Sequence, residues 1–276
     1  MPTNTALKTG PNKDAPRQAL DSAVVRFAGD SGDGMQVTGG QFTLSAALAG
    51  NNLATFPDFP AEIRAPVGTT FGVSSFQINF GSGVIKTSGD DFDLLVAMNP
   101  AALFVELKSL KQGGVIIVDK GSFSERNLRK AGYESNPLED LSLGDFRVIE
   151  LDISQLTLDA VKEHGLSNKE ALRCKNFWTL GYVYWMFAHK RKETIDYLRS
   201  KFASRPDIAE ANVSALNAGH ALGETSETAD GFQGFAIPQS GQTDSGLYRT
   251  VMGSEALAWG LTTGAQLAGL NMTFCS

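Results

Sequence analysis

Cysteine is scarce in this sequence. The two residues, Cys174 and Cys275, stand far apart, so neither a disulfide framework nor an Fe–S ligand run can be built from them. That usage fits a reducing, cytoplasmic setting. Histidine is nearly as rare: His164, His189 and His220 share no ligand spacing, so no metal site is expected and no Ser-His-Asp set assembles. Each falls near an expected helix end, where a solvated cap is the simpler role. Basic residues are outnumbered 24 to 30, for a formal net charge of −6. A nucleic-acid partner is excluded on that ground, because it would need a clustered basic face. Long apolar runs are missing too. None approaches the roughly 20 residues that cross a bilayer, and the opening MPTNTALKTGPNKDAPRQALDS has no apolar signal core. Residues 1–21 read as a loosely attached arm.

What is present is ordinary for a globular protein: 42% apolar and 20% charged residues in 276, enough for one large domain or one domain and part of another. AVVRFAG reads as a buried strand and Met35 to Leu48 as a helix lying on a sheet. NNLATFPDFPAEIRAPVGTTFG is rich in proline and glycine, and its second half reads as a long functional loop. VSSFQINFG alternates as a strand does, with GVIKTSG as its expected hairpin partner. DLLVAM, NPAALFVELKSLKQGG and VIIVD form a strand–helix–strand unit, which demands parallel pairing. FRVIELDI adds a strand, and helices are expected over 155–164, 171–189, 192–203 and 206–222. The second of these, ALRCKNFWTLGYVYWMFAH, is apolar all round, so it should be buried on several sides, against the sheet and a partner subunit. Its Trp178, Tyr182, Trp185 stripe is core or interface. The expected fold is α/β, with a mainly parallel sheet flanked by helices over 22–222. A linker follows over 223–246, anchored at Phe232 to Ile237. Residues 247–276 open a second α/β domain, with NMTF starting a strand.

The turn Ser31-Gly32-Asp33-Gly34 joins the first buried strand to the first helix. Such a turn presents backbone N–H groups at the positive end of a helix dipole. It is a weak match to a dinucleotide fingerprint, since Gly29, Gly32 and Gly34 give G-x-x-G-x-G, the wrong order, and Asp58, roughly where the acid should stand, lies in a proline-rich stretch. It is not a P-loop, because Met35 takes the lysine position. Asp30 and Asp33 repel a phosphate pressed into the turn and suit an amide or hydroxyl donor, unless Asp33 simply caps the helix. In PAEIRAPVGTT, Arg64, Thr69 and Thr70 are candidate donors to a carboxylate or phosphate, or Arg64 pairs with Asp58 or Glu62. Asn99 ends a strand at the carboxyl edge of the sheet, either to meet a ligand or to cap the next helix. No catalytic residue can be named.

Four ordered blocks, RFAGDSGDGMQVTGG, FPDFPAEIRAPVGTTFGVSSFQINFG, KNFWTLGYVYW and YRTVMGSEALAWGLTTGAQLAGL, resemble the alpha subunit of 2-oxoacid:ferredoxin oxidoreductases, in particular the 2-oxoglutarate branch. The resemblance implies a gamma-type domain over 22–222 and the start of a thiamine-diphosphate pyrimidine-type domain after 247. It implies oxidative, reversible decarboxylation of a 2-oxoacid to acyl-CoA and CO2 with reduction of ferredoxin. Thiamine diphosphate, Mg2+ and a 4Fe–4S cluster would sit on a beta subunit, in a dimer of alpha–beta pairs. Ser31, Gly32, Asp33 and Gly34 would then help to place coenzyme A. The family continues into a Tyr-Pro-Ile-Thr-Pro segment where this chain ends at Ser276, so a fragment is expected. The rival expectations are a dinucleotide-binding dehydrogenase and a non-catalytic assembly subunit.

Overall fold

The computed structural model describes residues 17–60, 72–226, 232–241, 246 and 251–273. The chain runs β1 (Gln18–Ala19), β2 (Ser22–Asp30), α1 (Met35–Leu48), β3 (Asn52–Asp58), β4 (Val73–Gly81), β5 (Phe92–Ala97), α2 (Pro100–Glu106) and β6 (Leu110–Asp119). It continues through α3 (Glu125–Ala131), β7 (Arg147–Leu151), α4 (Ile153–Val161), α5 (Asn168–Ala171), α6 (Lys175–Met186), α7 (Lys192–Lys201), α8 (Pro206–Thr225), β8 (Phe235–Ala236) and α9 (Gly253–Leu267).

The main sheet has the order β3-β4-β2-β5-β6-β7. Its right half, from β2 through β5 and β6 to β7, is parallel, while β4 lies antiparallel between β2 and β3. The mainly parallel α/β architecture is therefore as expected. Parallel strands need both faces covered, and the side chains divide accordingly. Val25, Phe27, Leu94, Val96 and Ile117 point toward the face covered by α1, α4, α6 and α8. Val24, Ala28, Leu95, Ile116 and Val118 point to the other, where α2 and α3 lie.

Helix α6 is buried from Asn176 to Met186, in keeping with its all-round apolar pattern. Its outer cover is α8, part of the same chain. The two backbones nearly touch: a Cβ on Gly181 would fall 2.0 Å from the Leu216 carbonyl oxygen, and one on Gly219 would fall 1.9 Å from that of Trp178. Trp178, Tyr182 and Trp185 are core, with Trp178 and Tyr182 stacked at 6.2 Å.

Several expectations are corrected. GVIKTSG forms no strand, and β4 takes its partners from β2 and β3. β3 went unrecognised because it is an edge strand carrying Pro57, tolerated there because an edge leaves one side of the ladder unpaired. The expected arm and linker meet in a parallel pair, Gln18 with Phe235 and Ala19 with Ala236. Phe232 and Phe235 are buried in the core. His189 is buried rather than solvated, at 8% exposure. Of NMTF, residues 271–273 form no strand and the rest lies outside the described residues. The chain divides into two units, residues 1–241 and 242–276, the second carrying α9.

Candidate ligand site at the glycine turn

β2 ends at Asp30, and its carbonyl accepts the Asp33 N–H at 2.9 Å to close the turn. Gly34 follows in the left-handed conformation at φ 76° and serves as the N-cap of α1, with no side chain capping the helix. Glycine is needed there twice over, since a Cβ would also meet Asn176 Nδ2 at 2.6 Å. Asp33 does not cap α1. Its Oδ2 turns back to accept the Asp30 N–H at 3.1 Å. The first-turn amides of α1 are thus left without a side-chain acceptor. Ser31 and Gly32 are exposed, and a Cβ on Gly32 would meet nothing within 4 Å, so the turn opens outward.

Three neighbouring parallel strands deliver polar residues to this edge. Asp30 ends β2, Asn99 follows β5, and Asp119 ends β6. Asn99 takes the capping role: its Oδ1 accepts the Ala102 N–H at 2.8 Å at the start of α2, while its Nδ2 donates to Asp30 Oδ1 at 2.8 Å. Burial and the neighbouring Asp33 charge hold the Asp30 carboxyl above its ordinary range, opposed by the Asn99 bond, Lys175 and Lys130. Lys175 Nζ stands 3.5 Å from Asp33 Oδ1 and 3.9 Å from Asp119 Oδ2. Asp119 is fully buried and accepts from Ser122 Oγ at 2.9 Å and Ser154 Oγ at 2.7 Å. Between β2 and β5 the helices change face, α1 lying on one side and α2 on the other. That crevice, outside the carboxyl ends of the strands, is where open α/β sheets hold ligands.

A cleft of about 230 Å3 adjoins the turn, lined by Gly32, Asp33, Lys169, Leu172, Arg173 and Lys175. Sequence reasoning missed its cations. The signal was the string NKEALRCK, whose spacing puts Lys169 and Arg173 on one side of a helical stretch. Among the described residues neither has a carboxylate partner, whereas Lys175 is engaged by Asp33 and Asp119. Arg64, Thr69 and Thr70 lie outside the described residues. Asp58, weighed as a partner for Arg64, is held at 3.0 Å by the buried Arg26. It sits at the end of β3, which β4 separates from β2 in the sheet, and its carbonyl accepts from Gln36 Nε2 at 3.2 Å.

Residues 24–222 match the family described as pyruvate ferredoxin/flavodoxin oxidoreductase. The chain belongs to that family. Over 254 residues it is 50% identical to the 2-oxoglutarate oxidoreductase subunit KorA of Mycobacterium tuberculosis, an alignment spanning 92% of this chain and 38% of that one. It covers 93% of itself and 44% of a chain of the 2-oxoglutarate:ferredoxin oxidoreductase from Magnetococcus marinus, solved with 2-oxoglutarate, coenzyme A and succinyl-CoA bound, at 22% identity and a TM-score of 0.63. Against the gamma subunit of a keto/oxoacid ferredoxin oxidoreductase from Geobacter sulfurreducens, coverage is 73% of this chain and 96% of that one, at 17% identity and a TM-score of 0.50. At those identities the two structures speak to the fold alone. In this member of the pyruvate ferredoxin/flavodoxin oxidoreductase family, no three His, Cys, Asp or Glu side chains gather to hold a metal among the described residues. Burial pushes the Cys174 thiol up to about 11, which keeps it protonated and a poor metal ligand.

Proposed function

We propose that this chain is the alpha-subunit part of a 2-oxoglutarate:ferredoxin oxidoreductase and that its glycine turn helps to place coenzyme A. Half-identity to a 2-oxoglutarate oxidoreductase subunit supports the reaction class. The observation that carries the placement is the uncapped N-terminus of α1, opening beside Lys169 and Arg173. Both elements favour a ligand with several negative charges, as the phosphates of coenzyme A provide. Lys175, shared with Asp119, offsets part of the Asp33 charge there. Its remaining acceptor capacity suits an amide N–H or hydroxyl of the same carrier.

The reaction takes a 2-oxoacid and coenzyme A to acyl-CoA and CO2, passes two electrons to ferredoxin, and runs in either direction. Thiamine diphosphate with Mg2+ supplies the carbanion chemistry and a 4Fe–4S cluster the single-electron steps, both on a partner beta subunit. With two cysteines in the whole chain, four thiolate ligands have to come from elsewhere. The role of this chain is positioning: it binds the carrier at the carboxyl edge and directs its thiol toward the acyl group. The working assembly is a dimer of alpha–beta pairs in the cytoplasm, with residues 22–222 as the gamma-type domain and 247–276 opening the pyrimidine-type one.

Steady-state kinetics of the assembled enzyme with Arg173→Ala test this. Losing one charge-assisted phosphate contact raises the KM for coenzyme A roughly ten- to hundredfold, while the KM for the 2-oxoacid stays as it was. An unmoved coenzyme A KM rejects the placement. Absence of coenzyme A-dependent turnover across a 2-oxoacid panel rejects the reaction.

A further inference from the structure

A second cavity lies at the opposite end of α6 from the glycine turn, where the chain passes into α7. It measures about 600 Å3, and its lining includes His189, Lys190, Arg191 and Lys192 together with Asn217 and His220 of α8. His189 is 8% exposed and its Nδ1 has no hydrogen-bond partner. The ring sits in an aromatic cage, stacked on Phe42 at 5.0 Å with Phe80 and Tyr184 about it at 5.9 and 6.0 Å. The cage fixes the ring but offers it no acceptor. His220 Nδ1 is likewise unbonded, with Glu224 Oε1 3.6 Å away. A buried polar nitrogen without a partner is costly, and both residues line one cavity.

The surrounding charges are unbalanced in one direction. Lys192 closes on Asp196 at 2.6 Å and Arg199 on Glu210 at 2.8 Å. The Lys190 ammonium is exposed and has no partner among the described residues, and the Arg191 guanidinium meets the neutral Asn217 Oδ1 at 3.0 Å. Neither Lys190 nor Arg191 thus has a carboxylate within ion-pair distance among the described residues, in a chain of net charge −6. No side chain caps α7 at Arg191, so the first-turn amides of this ten-residue helix turn their dipole to the same mouth, where Glu193 is the acidic side chain of that turn.

We propose that this pocket is a second anion site, which takes the dianionic phosphate group of a small molecule through Lys190, Arg191, the α7 amides and the His189 and His220 imidazoles. A carboxylate would balance only one of the two free charges. A phosphate monoester carries about −1.5 to −2 at pH 7 and three acceptor oxygens. Burial holds His189 neutral down to about pH 4, so the imidazole contributes a hydrogen bond rather than a third charge. The site shares no residue with the cleft at the glycine turn, so it stands whether or not that cleft takes coenzyme A.

The test is a titration of the 276-residue chain with inorganic phosphate, and separately with adenosine 5′-phosphate, at constant ionic strength, followed through the imidazole NMR signals of His189 and His220. Both signals are expected to shift saturably. Tighter binding of the nucleotide assigns the site to a phosphate ester, and equal binding assigns it to the free ion. The double variant Lys190→Ala, Arg191→Gln should weaken the response at least tenfold, and Lys190→Ala alone, at an exposed and partnerless side chain, should weaken it without touching the fold. Arg173→Ala should leave it unchanged. A response that never saturates, that chloride reproduces, that survives the double variant, or that disappears with Arg173 overturns the proposal.

Discussion

His189 sets a pH dependence that belongs to a single residue. In the folded chain burial pushes its pKa down from 6.5 to about 4. Between those values the unfolded chain binds the extra proton, so stability is full above pH 6.5 and falls as the pH drops toward 4, by roughly 3 kcal/mol. His189→Phe keeps an aromatic ring in the cage and removes the titration. Urea midpoints for the variant are expected to fall less steeply than wild type between pH 6.5 and 4.5, and parallel curves would refute the assignment. Gly34 shows how far such detail was legible beforehand. The alternation of glycine with small polar residues announced a strand-to-helix turn, but not which residue caps α1. Asp33 was an equal candidate by type, and only the hydrogen bond from the Asp30 N–H to its Oδ2 explains why Gly34 holds the position instead. Arg26 was not picked out at all. It is a charge inside a strand of apolar pattern, tolerated because Glu106 takes both its Nε and Nη2 at 3.1 and 3.0 Å.

Among the elements, α6 and α8 depend on each other through two glycines. Each lies against the opposite backbone, at distances no Cβ can occupy. Gly219→Ala must therefore force the helices apart along a face that buries Trp178, Tyr182 and Trp185. The expected loss is about 3 kcal/mol or more, above the usual range for overpacking because backbone rather than a side-chain tip must move. Thermal melts are the measure. Gly40→Ala in α1, whose Cβ would meet nothing within 4 Å, serves as the control and should be neutral or stabilising. A Gly219→Ala protein that melts with wild type would contradict the close packing. The helices themselves were legible from periodicity, since long amphipathic or apolar segments declare their period. β3 was not, because a partly exposed edge strand containing Pro57 has neither strict alternation nor a buried run. The pairing of β1 with β8 was equally hidden, being two residues on each side from opposite ends of the first unit.

For the molecule as a whole, the boundary after residue 222 becomes a measurable question. Phe232 and Phe235 lie beyond it yet belong to the core, and β8 holds β1. A chain ending at Gly241 keeps both and is expected to melt where the full chain does. One ending at Leu222 gives up two buried phenylalanines, each worth roughly 1.5–3 kcal/mol, and should melt several degrees lower. Equal melting of the two truncations would show that the segment contributes nothing. The sequence by itself determined the α/β class, the strand–turn–helix at Ser31–Gly34 and the family, because these rest on local periodicity, on glycine's conformational freedom and on ordered blocks of residues. Only the tertiary structure decided what faces the turn. Lys169, Arg173 and Lys175 reach it from far along the chain because α6 lies across the sheet beside α1, and sequence spacing carries no record of such a distant meeting. The same holds for His189 and His220, which share a cavity only because α7 turns back against α8.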